Sequence, residues 1–108
     1  MSVDSIKRQI EGYKRDIDRQ KADIADSKED MAKTRIRKSR DAETYSRRLK
    51  SSSSTAQKHN IRAQKKRDWE RYAREIQKER DKISKYREKT KDYRENIKRC
   101  RERIKRLR

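Results

Sequence analysis

A histidine, a cysteine and many carboxylates are the side chains here that could make or break bonds, and none stands in a pattern that such chemistry requires. His59 is the only histidine and has no second ligand at metal-binding spacing, so a surface or capping role fits it better than metal binding. Cys100 is the only cysteine; it cannot close an intramolecular disulfide, and it falls on an apolar line where a small buried hydrophobe is expected. A symmetric assembly would be needed to bring two copies of it together. The aspartates and glutamates sit three or four residues from lysines and arginines, as surface ion pairs on helices do. The single glycine, Gly12, leaves no glycine-rich phosphate loop. The expectation is a protein with no catalytic residues, no cofactor and no metal.

What remains is positive charge, and its placement carries information. The 108 residues hold 37 Lys and Arg against 19 Asp and Glu, a formal charge of +18. Residues 1–30 are close to neutral, with seven basic and eight acidic side chains. Residues 33–67 carry thirteen basic side chains, Lys33, Arg35, Arg37, Lys38, Arg40, Arg47, Arg48, Lys50, Lys58, Arg62, Lys65, Lys66 and Arg67, against Asp41 and Glu43 alone. A further excess lies between Arg94 and Arg108. Like charges crowded on a narrow rod repel one another, so an excess of this size calls for a counter-charge: an acidic protein surface, the phosphates of RNA or DNA, or an anionic membrane. Membrane attachment is the least favoured of the three, since no exposed apolar face is available to insert.

The elements that must hold these cations are helices. The chain is 27% hydrophobic and 52% charged, with no Pro and no Phe, too polar for a core of ordinary thickness and free of helix breakers. Its apolar residues compensate by position. Alternate steps of three and four residues from Val3 meet Ile6, Ile10, Tyr13, Ile17, Ile24 and Met31; the same steps from Trp69 meet Tyr72, Ile76, Ile83, Tyr86, Tyr93, Ile97, Cys100, Ile104 and Leu107. Sustained heptads with charged flanks are the coiled-coil signature. Between the two runs lies Ser51–Thr55, five hydroxyl residues that compete for backbone hydrogen bonds.

The pattern therefore predicts a single all-α domain over 1–108, an antiparallel two-helix coiled-coil hairpin that further oligomerises. Helix 1 is expected over about 4–50, the turn over about 51–55 and helix 2 over about 56–107, with Ser2 or Asp4 and Ser54 or Thr55 as N-caps. An unbroken rod with helical serines is the alternative. Folding at the serines places Val3 opposite Leu107, Ile6 opposite Ile104, Ile10 opposite Cys100 and Ile24 opposite Tyr86. It also joins Gln20 and Thr90 in one polar layer, where amide and hydroxyl are expected to satisfy each other and fix the register. Toward the turn Lys38 is expected to face Tyr72, Asp41 to face Trp69, and Leu49 to pair with Ile61. All five tyrosines fall on or in phase with the seam, which leaves no platform for stacking bases; any nucleic-acid contact would be led by phosphates.

Basic heptads, then Ser51–Thr55, then Lys58, Arg62 and further basic heptads, resemble the coiled-coil hairpins that precede Toll/interleukin-1-receptor-like domains in some bacterial proteins. The arrangement also looks like the export-apparatus stalk proteins that insert a helical hairpin into a hexameric ATPase, and like the tRNA-binding arm of seryl-tRNA synthetases. The first resemblance implies a helical element of a signalling or defence protein. Residue by residue, the expected function is a non-enzymatic scaffold that self-associates or docks on a larger, acidic partner through its basic tip. Non-sequence-specific binding of RNA or DNA is the alternative. No signal-peptide-like apolar core and no membrane-length run occur, so a cytoplasmic location is expected.

Overall fold

The computed structural model describes residues 2–108, and it is all-helical: α1 runs Val3–Ser51 and α2 runs Thr55–Leu107, with Ser52–Ser54 between them. Both helices start at serine caps. Ser2 Oγ accepts the Ser5 amide at 3.2 Å and Ser54 Oγ accepts the Gln57 amide at 3.3 Å, in each case covering one of the four amides that a helix start leaves without a partner. Asp4 in the first turn of α1, and Arg48 with Lys50 in its last, complement the helix dipole.

The link is shorter than the five residues expected. Ser51 stays helical because its hydroxyl donates to the Arg48 carbonyl at 3.2 Å, so the serine satisfies itself inside the last turn. Thr55 is already the first residue of α2 because Ser54 supplies the cap. Ser52 Oγ and Gln57 Oε1, 3.0 Å apart, tie the link to α2.

The chain divides into two compact units, one containing residues 2–27 with 81–108, the other residues 28–80. The first has the purer apolar core: Ile6, Ile10, Ile17, Ile97, Cys100 and Ile104 are buried together, with Val3, Tyr13 and Tyr93 packed against them. The Tyr13 and Tyr93 rings are 6.1 Å apart and tilted. Burying each isoleucine contributes about 1.5–3 kcal/mol, so this short list accounts for most of what holds the unit together. Ile83 is buried in the same unit, while Ile24 and Tyr86 are half-buried. In the second unit Met31, Thr34, Tyr45, Ile61 and Tyr72 are buried, and Ile76 and Trp69 are half-buried.

Two expectations about the seam are corrected. Leu107, the last residue of α2, is 55% exposed rather than packed in the seam. Gln20 and Thr90 are both buried, but they do not satisfy each other. The Thr90 hydroxyl donates to the Tyr86 carbonyl of its own helix at 2.9 Å, and Gln20 Oε1 has no hydrogen-bond partner among the described residues. A threonine within a helix always has the carbonyl four residues back within reach, so this local bond wins over the cross-helix one.

Candidate functional site

All thirteen basic side chains singled out between 33 and 67 fall in the unit of residues 28–80. Lys33, Arg35, Arg37, Arg40, Arg47, Arg48, Lys50, Arg62, Lys66 and Arg67 are exposed, and Lys38, Lys58 and Lys65 are half-buried. Little of this charge is neutralised internally. Lys33 pairs with Glu29 at 3.5 Å on its own helix, and Arg37 reaches Glu75 on α2 at 3.5 Å. Both pairs are solvent-exposed and worth well under about 1 kcal/mol each.

Three of the cations are instead held over aromatic rings. The ammonium groups of Lys38 and Lys65 stand 5.4 and 5.3 Å from the Trp69 ring centroid, and the Arg48 guanidinium stands 5.6 Å from that of Tyr45. The attraction of a cation for a ring face orients these side chains without cancelling their charge. Arg35, Arg40, Arg47, Lys50, Lys58, Arg62, Lys66 and Arg67 make neither an ion pair nor a ring contact among the described residues.

Underneath lies a polar and aromatic cluster that heptad counting does not reveal. The Tyr45 hydroxyl donates to Asp68 and the Tyr72 hydroxyl donates to Asp41, so each helix supplies one tyrosine and one aspartate to the other. Trp69 stands edge-on to both tyrosines, 6.0 Å from each. Burial, followed by the hydrogen bond to Asp68, pushes the Tyr45 phenol from 10.0 up to about 12. The hydrogen bond to Asp41, followed by burial, raises that of Tyr72. The sequence carried a signal for this cluster: Asp-x-x-x-Tyr occurs once on each helix, in DAETY and in DWERY.

Two side-chain contacts here lie one turn away, in opposite directions, from the expected facing pairs. Lys38 lies over Trp69 rather than Tyr72, and Asp41 takes the Tyr72 hydroxyl rather than facing Trp69. The Lys38 stem and the Tyr72 ring are long enough to span a helical turn, so each polar end reaches a partner outside its own layer.

The arrangement offers many hydrogen-bond donors that carry positive charge. His59 is exposed, and Cys100 is buried with its thiol 3.8 Å from Gln9 Oε1. Among the described residues no group of three or more His, Cys, Asp or Glu could hold a metal ion, and no helix is long and apolar enough to cross a membrane. Compared with family models, with curated proteins and with solved structures, the chain matches none.

Proposed function

We propose that this chain is a non-enzymatic helical interaction protein, an antiparallel coiled-coil hairpin that docks its basic segment, residues 33–67, on an acidic protein surface. The descending order of α2 partners along α1 supports the antiparallel pairing: Gln9 meets Cys100, Tyr13 meets Tyr93, Thr34 meets Glu75 at 3.5 Å, Asp41 meets Tyr72 and Tyr45 meets Asp68. The observation that carries the functional reading is the exposed, largely unpaired charge of the basic segment beside the near-neutral residues 1–30.

An acidic protein suits this segment because its cations are mixed with apolar area. Ile36 is 53% exposed and Trp69 is only half-buried, and a protein interface needs such anchors within its polar rim. The same segment on one copy could meet the aspartates of residues 1–30 on another, a head-to-tail contact that would close a ring or grow a filament.

Poly-L-glutamate serves as the acidic probe. Replacing Arg40, Arg47 and Arg62 by glutamate is expected to weaken its binding at least about tenfold at low salt, where exposed charges are least screened. The same reversal at Arg8, Arg15 and Arg19, outside the segment, should weaken it far less. Sedimentation of the same variants reads any self-association. Equal losses from the two triple variants would remove the assignment of docking to residues 33–67.

A further inference from the structure

In the unit of residues 2–27 and 81–108, the helix flank beside the seam repeats every seven residues. On α1 it carries Lys7, Lys14 and Lys21; on α2 it carries Arg87, Arg94 and Arg101, and all six are exposed. With the helices antiparallel, as proposed above, these rows become the two banks of one groove. Opposed flanks of a coiled coil commonly carry opposite charges, which sets partner and orientation. Here both banks are cationic.

The other flank of the same unit is built in the usual way. Asp16 and Asp23 of α1 occupy the flanking positions there, opposite Asn96 and Lys89 of α2, and the Gln9 contact with Cys100 lies on that side. Lys14 does pair with Glu11 at 3.4 Å, but Glu11 stands on the outer side of the lysine row. Likewise Glu88, Glu95 and Glu102 stand beyond a second basic row, Lys91, Lys98 and Lys105. The acids border the cationic strip, and none lies between the two banks. A structural helix pair gains nothing from facing cations, so the strip is a stored repulsion that a bound polyanion would relieve.

We propose that this groove binds the sugar-phosphate backbone of double-stranded nucleic acid without sequence preference. Arginine provides a planar fork of donors matched to phosphate, and it occupies every position of the α2 bank. Successive arginines are about 10.5 Å apart along the helix, about three nucleotide steps of a duplex strand. An acidic protein fits this groove less well, because Leu107 is the one large apolar side chain exposed in this unit among the described residues, and phosphate interfaces need no apolar anchor. A single strand fits less well too: Tyr13, Tyr86 and Tyr93 are committed to the seam, which leaves no aromatic face for bases.

The test uses the full chain, a mixed-sequence duplex of about 20 base pairs and a single strand of the same length, read by fluorescence anisotropy between about 50 and 200 mM salt. Arg87, Arg94 and Arg101 are replaced by glutamine, and circular dichroism verifies that the helices persist. The variant is expected to bind the duplex at least about tenfold more weakly, with the salt slope lower by about three. Glutamine at Arg40, Arg47 and Arg62 should change the duplex affinity far less while weakening poly-L-glutamate. Equal losses from the two variants, or unchanged duplex binding, would overturn the groove; single-strand binding as tight as duplex binding, or a loss of poly-L-glutamate binding in the Arg87, Arg94 and Arg101 variant as large as its loss of duplex binding, would overturn the ligand class. Because docking on the basic segment is read with a different probe and different residues, its failure is separable from failure of the groove.

Discussion

Replacing Ile83 with aspartate is expected to cost about 3–5 kcal/mol and to unfold much of the chain at room temperature. Ile83 is buried beside a seam in which Ser27, Gln20 and Thr90 are also buried, so its part of the unit has few apolar groups to spare. A carboxylate at this position would lose its water and gain no partner. The cost falls on a protein whose stability is low to begin with, since a two-stranded seam buries little apolar area for each residue that it orders. The helical signal in circular dichroism should fall and its thermal transition should lose cooperativity. Aspartate at Ile36, 53% exposed, changes the melting temperature little and controls for the added charge. If the Ile83 variant melted like the parent chain, the seam would be misassigned.

The seam was legible because it depends on spacing alone. Heptad steps from Val3 and from Trp69 pass through the buried Ile6, Ile10, Ile17, Ile83, Ile97 and Ile104 and miss the buried Ile61, while the serine run marks the link and supplies the Ser54 cap. Three features were not legible, each for a physical reason. Serine hydroxyls compete with the backbone but can also bond within a last helical turn, as Ser51 does, so composition alone does not fix the end of α1. Spacing puts Gln20 and Thr90 on the seam without saying where their polar atoms turn, and the Thr90 hydroxyl takes the nearer carbonyl. Near the link the seam is polar, and a heptad wheel cannot foresee that an aspartate and a tyrosine from different layers will meet.

The distribution of cations was legible as a total and, in part, as a segment. Of the proposed strip, Arg94 and Arg101 stand out in the sequence only as part of a C-terminal excess and Arg87 not at all, because the meaning of the row depends on which residues flank the seam and on what stands across it. The same number of charges means different things on the two units. In residues 33–67 the cations surround aromatic and apolar area, whereas in residues 81–108 they form rows with acids only along their outer border.

Removing both carboxylates of the tyrosine cluster, Asp41→Ala with Asp68→Ala, is expected to destabilise the chain by about 2–5 kcal/mol, more than removing both hydroxyls with Tyr45→Phe and Tyr72→Phe. Each alanine leaves a buried phenol oxygen without an acceptor, whereas each phenylalanine leaves behind a half-buried aspartate that water can still reach. Replacing all four should recover part of the loss, because no polar group is then stranded, although sharing Trp69 makes the pairs interdependent. Alkaline pH gives a second reading of the same bonds. Tyr45 holds its proton up to about 12 in the fold against an ordinary 10.0, so its contribution is whole below pH about 10 and is lost as the pH rises through about 12. The advantage of the parent chain over the double phenylalanine variant should therefore shrink between melts at pH about 8 and about 11.5. A gap that stayed constant would mean that the phenols ionise as freely in the folded chain as in the unfolded one, and that the two aspartates do not hold them.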